Sequence, residues 1–319
     1  MADGSPRLLQ AATRHVRSRI FDSAGWDEFL QRPDDIIIST YPKCGTTWMQ
    51  RIVGMMIFQS AAPFAVQDSS PWPDFLFIPR EATAAMAAAQ THRRFVKSHL
   101  PYDAIPVHEG VKFIHVARDG RDAAMSFFNH KLNYTPETLA HMDQLSLQHP
   151  KFGDRNPPIP TDPADHFRGW VAGYEDDLGD PGASFFHLEK SFWAARHEPG
   201  VLLVHYNDLK ADREGEMRRI AGFLDIAVPD ALWPQIVAAA GFDAMKSNAD
   251  ALMPKAGNIW KGGGKTFLHK GTNGRWRDVC AAEDLASYEA KVAREFTPAL
   301  ANWVANGRIV AGDPRDASD

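Results

Sequence analysis

Four short runs of apolar, mostly β-branched residues recur along the chain with hardly any polar alternation. They are Ile36–Ser39, Phe95–Lys97, Lys112–Val116 and Val201–Tyr206. Runs of this kind are typical of strands buried on both faces of a parallel sheet. This feature restricts the chain to folds in which helices cover a central sheet on both sides.

Apolar residues at helical spacing separate these runs and predict the covering helices. The predicted helical groups are Ile52, Met55 and Met56; Ala124, Phe127 and Phe128; Phe185, Leu188, Phe192 and Ala195; and Met217, Ile220, Ala221 and Leu224. Strands that alternate with helices indicate an α/β fold with a central, mainly parallel sheet flanked by helices. We expect one domain over residues 1–319, with its core at about 30–300.

Two stretches are predicted to be long loops that wall a ligand site. Gln148–Pro163 contains five prolines, and Asn248–Arg275 is rich in glycine and lysine. Within the second, Lys261–Thr266 imitates the end of a Walker A motif. Ile259 stands where the first glycine of that motif belongs, and no predicted strand precedes it. We therefore interpret Lys261–Thr266 as a mobile basic loop.

Charge and cysteine content exclude several classes of protein. The formal net charge of −5 argues against a broad nucleic-acid interface, so any anion site must be local. The two cysteines, Cys44 and Cys280, exclude a disulfide framework and a cysteine-rich zinc site. The N-terminus lacks the apolar run of a secretory signal, and no stretch is apolar enough to span a membrane. We expect a cytoplasmic protein without nucleic-acid partners.

The segment DDIIISTYPKCGTTWMQRIV predicts an anion site. A buried strand ends near Thr40, a turn carries Lys43 and Gly45, and a helix begins near Thr46 or Thr47. The N-terminus of a helix at the carboxyl edge of a sheet offers free N–H groups and a positive dipole end. The alternative is a capped turn with a solvated lysine, since short motifs also occur by chance.

TYPKCGTTW in this segment closely resembles TYPKSGTTW, the 5′-phosphosulfate loop of the cytosolic sulfotransferase family, and suggests a bacterial-like member. The resemblance implies a core like that of P-loop kinases and 3′-phosphoadenosine 5′-phosphosulfate (PAPS) as sulfuryl donor. It assigns phosphosulfate binding to the loop and adenine stacking to its tryptophan. The residues concerned are Lys43, Cys44, Gly45, Thr46, Thr47 and Trp48. Cys44 replaces the usual serine, so its backbone N–H remains but a hydroxyl donor is missing.

A second anion site is predicted in KFIHVARDGRDAAMSFFNH, where Arg118 leaves a strand end. A planar guanidinium suits a phosphate dianion, although Arg118 and Asp119 also suit a structural ion pair. The string resembles the family's R-x-x-x-D-x-x-x-S motif, here Arg118, Asp122 and Ser126. That resemblance implies that Arg118 and Ser126 bind the 3′-phosphate of PAPS.

The segment RFVKSHLPYD supplies a candidate base. Transfer to a hydroxyl requires a group that takes its proton, and histidine has a suitable pKa. A histidine after a strand is usually structural, but His99 lies in a close match to the family's KTHLP motif. The resemblance implies that His99 is the base and that Lys97 contacts the substrate oxygens. With Lys43, these residues form the predicted catalytic set.

Three downstream segments resemble the family's remaining boxes. The strand ending in YNDL assigns an adenine-side contact to Tyr206, and AAGFDAMKSN places Phe242 opposite Trp48. FLHKGTNGRW resembles F-x-R-K-G-x-x-G-D-W, whose R-K-G binds the 3′-phosphate. The corresponding residues are His269, Lys270 and Gly271, with histidine in place of arginine. The family's dimerisation string is shortened here, so oligomeric state stays open.

The resemblance implies transfer from PAPS to a hydroxyl or amine of a small acceptor, leaving 3′-phosphoadenosine 5′-phosphate (PAP), without a metal. Trp72, Phe75, Phe77 and Tyr134 suggest an apolar or aromatic acceptor. One alternative acceptor is a glycolipid or other carbohydrate hydroxyl. Two other functions stay open: a P-loop nucleotide kinase, which requires Mg²⁺, and a nucleotide-binding protein with weakened catalysis.

Overall fold

A four-stranded parallel sheet forms the centre of the protein, in a computed structural model that describes residues 6–173 and 180–319. Its strands are β2 (Ile36–Ser39), β3 (Phe95–Ser98), β5 (Lys112–Ala117) and β6 (Val201–His205), in the spatial order β3-β2-β5-β6. Two further strands, β1 (Leu8–Gln10) and β4 (Val107–His108), form a small antiparallel ribbon.

Both faces of the sheet are buried, which explains why its strands do not alternate in polarity. In β2, Ile36 and Ile38 pack into one apolar cluster with residues of the helices on their side, including Ile52 and Ile220. Ile37 faces the opposite way, into a cluster that contains Phe192. The prediction of a helix-covered sheet is confirmed.

Helices cover the two faces, and many of them are short. In the described residues they are α1 (Gly25–Glu28), α2 (Thr46–Phe58), α3 (Val66–Ser69), α4 (Arg80–Ala89), α5 (Gly120–Leu132), α6 (Pro136–Leu147), α7 (Pro163–Ala172), α8 (Phe185–Ala194), α9 (Tyr206–Ala211), α10 (Arg213–Leu224), α11 (Trp233–Ala239), α12 (Phe242–Ser247), α13 (Ala249–Leu252), α14 (Gly263–Leu268), α15 (Ala282–Glu295), α16 (Pro298–Asn306) and α17 (Arg308–Ala311). None of these has the length and apolarity needed to cross a bilayer.

The prediction that Asn248–Arg275 forms a long loop is wrong. It contains α13 and α14, and Lys261–Thr266 enters α14 instead of forming a basic loop. Trp260, Phe267 and Leu268 pack in an apolar cluster with Tyr134, and this burial outweighs the weak helix propensity of the glycines. The other predicted loop, Gln148–Pro163, does connect two helices, α6 and α7.

The carboxyl ends of the four parallel strands meet at one edge of the sheet. His99 directly follows β3, Arg118 directly follows β5, and Tyr206 directly follows β6. Lys43 lies in the turn between β2 and α2. Topology alone therefore gathers side chains from four distant parts of the chain at one place.

Candidate active site

A cavity of about 720 Å³ opens at this edge of the sheet. Most of the predicted site residues line it. They are Lys43, Gly45, Thr46, Thr47, Trp48, Lys97, His99, Arg118, Ser126, Tyr206, Phe242, His269 and Gly271. Cys44 and Lys270 do not line it: the Cys44 side chain is fully buried in the core, and Lys270 is exposed.

The turn before α2 points the N-terminus of that helix at the cavity. Gly45, in the left-handed region with φ 112°, lies so close to Tyr206 that a Cβ would be 3.2 Å from its ring. Gly45 precedes α2 and has no side chain with which to cap it, and the Thr46 hydroxyl contacts the Thr40 hydroxyl at 2.6 Å. The Cys44 amide donates to the Tyr41 carbonyl at 3.2 Å. The free N–H groups of the first turn of α2 are therefore available to an anion.

The Lys43 ammonium lies 3.3 Å from Nδ1 of His130 and 3.9 Å from the centre of the Phe267 ring. Burial, with Arg118 and Lys97 nearby, lowers the pKa of Lys43 to about 7. Burial also holds the pKa of His130 well below its usual value, so its neutral ring can accept from the ammonium. His130 is not among the predicted site residues, although it lies one helical turn after Ser126 on α5.

The tautomer of His99 follows from its surroundings. Nδ1 lies 2.7 Å from the Thr40 carbonyl oxygen, which can only accept, so Nδ1 carries the proton and Nε2 carries the free lone pair. Burial and the adjacent Lys97 hold the pKa of His99 well below its usual value. The imidazole is therefore neutral at physiological pH, the form that a general base requires.

A buried carboxylate, Asp74, supports the base and was not predicted. It accepts hydrogen bonds from the indole N–H groups of Trp26 at 3.1 Å and Trp72 at 3.2 Å, and from the His99 amide at 3.4 Å. Burial raises the pKa of Asp74 to about 6. The Lys97 ammonium lies over the Trp72 ring, 3.4 Å from its centre, and burial lowers the pKa of Lys97 to about 7.

Arg118 joins the two predicted anion sites. Its Nη1 donates to the Lys43 carbonyl at 3.0 Å, and its Nη2 donates to the Asn273 side-chain oxygen at 2.7 Å. Its Nε is buried without a hydrogen-bond partner among the described residues. The alternative ion pair with Asp119 is not formed, because Asp119 caps α5 and pairs with Arg121.

Aromatic rings border the site near Arg118. The Arg118 guanidinium lies over the Tyr206 ring at 4.2 Å, and the Trp48 ring meets Tyr206 edge-on at 5.2 Å. The Trp48 indole N–H donates to the Ala240 carbonyl at 2.8 Å, which fixes the ring. Gly271, at φ 62°, lies so close to the Phe242 ring that a Cβ at this position would clash with it. Flat rings in this arrangement suit a planar heterocycle.

The other end of the cavity is lined by aromatic side chains. Trp72 and Phe75 stack with ring centres 3.8 Å apart, and Phe77 stacks on Phe75 at 4.7 Å. Tyr134 and Trp260 are neighbours in the cavity wall, where their rings stack on each other. Trp72, Phe75, Phe77 and Tyr134, predicted for an acceptor pocket, all line the cavity; Phe21, Phe127, Trp260 and Phe267 join them without having been predicted.

The charge lining the cavity is opposite to that of the whole chain. Seven lysine and arginine side chains line it, namely Lys43, Lys97, Arg118, Lys210, Arg213, Lys255 and Arg275. Among its lining residues in the described ranges, the one carboxylate is Asp68, which pairs with Lys255 at 2.6 Å. A protein of net charge −5 thus concentrates positive charge in one concave site, which suits a ligand with several negative charges.

Known proteins match most of the length of this chain. Residues 33–296 match the family described as sulfotransferase domain. A glycolipid sulfotransferase of Mycobacterium bovis is 32% identical over 313 residues, covering 92% of this chain and 94% of the relative. Mouse sulfotransferase 1B1 is 27% identical over 280 residues, covering 85% of each chain.

Solved structures share the fold. A mouse sulfotransferase, SULT7A1, complexed with PAP superimposes with a TM-score of 0.64 at 21% identity, covering 88% of this chain and 90% of that one. Retinol dehydratase in a complex with retinol and PAP superimposes with a TM-score of 0.67 at 23% identity, covering 86% and 85%. With the match to residues 33–296, the assignment is plain: this chain belongs to the sulfotransferase family.

Proposed function

We propose that this sulfotransferase moves a sulfuryl group from PAPS to a hydroxyl, or an amine, of a small and largely apolar acceptor. The observation that carries the proposal is the division of one cavity into two chemically different ends. One end collects cations and free helix N–H groups, and the other collects aromatic rings. His99 touches both: its Nδ1 contacts Thr40 at the end of β2, and its ring packs 5.1 Å from Trp72.

The donor occupies the cationic end in this proposal. The 5′-phosphosulfate lies on the segment Lys43–Trp48, where the first turn of α2 is uncapped within the described chain. The 3′-phosphate lies near Arg118 and Ser126, and the buried Nε of Arg118 is a donor that such an anion would satisfy. Adenine lies among Trp48, Tyr206 and Phe242. PAP in the structures of two proteins of the same fold supports this choice of donor.

The chemistry follows from the protonation states of three residues. Nε2 of His99 accepts the acceptor's proton while the acceptor oxygen forms a bond to sulfur. The bond from sulfur to the bridging oxygen breaks, and its electron pair remains on the 5′-phosphate of PAP. Lys43 and Lys97, in their protonated forms, stabilise the negative charge that develops on the bridging and sulfuryl oxygens. Burial of all three groups strengthens these interactions.

Two classes of acceptor fit this cavity. The aromatic end favours a phenol or an apolar alcohol, in keeping with the retinol and androsterone complexes of retinol dehydratase. The relative named as a glycolipid sulfotransferase favours an acceptor with a sugar hydroxyl and a lipid body. Cys44 and Cys280 are not joined in a disulfide, which agrees with a cytoplasmic location.

A radiolabel assay tests the function and separates the candidates. The purified protein is incubated with PAPS labelled in its sulfate and with a panel of phenols, alcohols, amines and glycolipids, with and without EDTA. We expect transfer that is unaffected by EDTA. A strict Mg²⁺ requirement would favour a nucleotide kinase. PAP binding without turnover on any acceptor would favour a binding protein.

A further inference from the structure

Arg118 cannot by itself account for recognition of a second phosphate. Both of its terminal nitrogens are engaged by the protein: Nη1 by the Lys43 carbonyl, and Nη2 by the Thr272 carbonyl at 3.3 Å and the Asn273 side chain. Three of its five N–H groups are used in this way, so the Nε N–H and one Nη1 N–H remain in the described chain. Each edge of a guanidinium that can bind a phosphate through two donors includes Nη2, and both N–H groups of Nη2 are already used. Arg118 therefore offers no paired donors, and a further cationic side chain is favoured at this end of the cavity.

Arg275 is placed to provide it. It lies at the start of a short 3₁₀ turn, Arg275–Asp278, and its half-buried side chain lines the cavity. Across the described ranges, no carboxylate lies within 4.0 Å of its guanidinium, and its one hydrogen-bond contact is between Nη1 and Nδ1 of His269 at 3.3 Å. Its Nε and Nη2 therefore remain available to a ligand.

The positive charge around Arg275 is only partly compensated. Burial and the nearby Arg118 lower the pKa of Arg275, and Arg275 in turn lowers the pKa of Lys43. Cations that are close enough to repel one another favour an anion in the space they share. The carboxylate of Asp122, which accepts from the Gly274 amide at 2.6 Å, offsets part of this repulsion by raising the pKa of Arg275.

His269 has a different role from the arginine that it replaces in the sequence motif. Burial and the adjacent Arg275 lower the pKa of His269, so the ring is neutral at physiological pH. A neutral imidazole contributes no positive charge, but its Nδ1 can accept from the guanidinium. His269 thus restrains Arg275, while Lys246 donates to the His269 carbonyl.

We infer that Arg275, oriented by His269, supplies the guanidinium that binds the 3′-phosphate of the donor. The inference rests on the proposed function, since it presumes a nucleotide with a phosphate at that position. Arg275 is then a binding residue, and His269 is a positioning residue. The arginine missing at position 269 is replaced by one six residues later, which reaches the same cavity.

Calorimetric titration with two nucleotides isolates this contact. PAP and 5′-AMP share adenosine and the 5′-phosphate, but only PAP carries the 3′-phosphate. We expect Arg275→Ala to weaken PAP about tenfold to a hundredfold, the range for a hydrogen bond to a charged group, and 5′-AMP less than about threefold. Arg275→Lys keeps the charge and loses the paired geometry, so its PAP affinity falls between these values. Arg277→Ala is the control, because Arg277 is exposed and packs on Trp276 outside the cavity.

The outcomes separate the inference from the function on which it rests. Wild-type protein that binds PAP no better than 5′-AMP would overturn both. Wild-type preference for PAP that survives in Arg275→Ala would overturn the inference alone. Equal losses for both nucleotides would also overturn it, because they indicate general damage, and circular dichroism melting of each variant would show that damage directly.

The role of His269 is tested through the same ratio of affinities. We expect His269→Ala to lower the preference for PAP over 5′-AMP about threefold, the lower end for one hydrogen bond, because His269 acts only by orienting Arg275. His269→Asn should restore it, because asparagine offers an accepting oxygen in place of the imidazole nitrogen. An unchanged preference in His269→Ala would show that the imidazole does not orient Arg275.

Discussion

The two ends of the cavity are built in different ways. At the cationic end, Lys43, His99, Arg118 and Tyr206 lie within a few residues of strand ends, so the sheet fixes their positions. At the aromatic end, rings such as Phe77, Tyr134 and Phe267 come from helices and connections outside the sheet, and mutual packing holds them. In the proposed function, donor binding therefore depends on positions that the sheet fixes, whereas acceptor choice depends on side chains that can be exchanged.

The largest expected effect is at His99, where the two ends meet. His99→Ala removes the proton acceptor, so we expect kcat to fall about 10²- to 10⁴-fold. PAP affinity should stay within about threefold, because the free N–H groups of α2 and the phosphate-binding cations are retained. Stopped-time sulfate-transfer assays and PAP titration measure the two quantities.

The matched control is His197→Ala, an exposed histidine outside the cavity, which should retain both properties. Turnover of His99→Ala close to the wild-type rate would show that another group takes the proton.

Raising the pH should weaken the binding of the anionic nucleotide. The pKa values of Lys43 and Lys97 are lowered to about 7, and an anion binds best to their protonated forms. PAP affinity is therefore highest below pH 7 and falls above it, by up to about tenfold per pH unit for each lysine that must take up a proton. The KM of an uncharged acceptor should change little.

Lys43→Arg separates this effect from titration of PAP itself, because a guanidinium stays charged throughout the range. Calorimetry from pH 6.5 to 8.5 should give a shallower decline for this variant than for wild type. Parallel declines would show that Lys43 is fully protonated in the free protein at neutral pH.

A substitution at the aromatic end should weaken acceptor binding and leave nucleotide binding intact. Phe77→Ala removes a ring that stacks on Phe75 and lines the cavity. We expect the KM of an apolar phenol such as 2-naphthol to rise about five- to twentyfold, from the loss of part of the apolar surface that the acceptor covers. PAP affinity should be unchanged. An equal loss of PAP affinity would show that the two ends are not independent.

The smallest expected effect is at Cys44, inside the cationic loop. Its side chain is fully buried and does not line the cavity, and its amide already donates to the Tyr41 carbonyl. Cys44→Ser should therefore change PAP affinity by less than about threefold, about the contribution of one neutral hydrogen bond. A tenfold gain on titration would show that a hydroxyl at this position reaches the nucleotide.

The same contrast explains what could be predicted from sequence. The strands and the loop before α2 depend on local patterns, so their positions follow from short segments of chain. The contact between Lys43 and His130 joins residues 87 positions apart, and Asp74 serves His99 from 25 positions away, so neither has a local signature. Lys261–Thr266 is wrongly predicted to be a loop because of its glycine content. Packing of Trp260 and Phe267 orders the segment instead.

Lys43 occupies the left-handed region of backbone conformation, with φ 72°, which orients its carbonyl toward Arg118. For a residue with a Cβ this conformation costs about 1 kcal/mol, a cost that glycine avoids. A laboratory selection for heat resistance alone would therefore tend to recover glycine at position 43. The resulting protein would be more stable but would lack the Lys43 ammonium. Thermostabilised versions of this enzyme should keep position 43 fixed and seek their gains elsewhere.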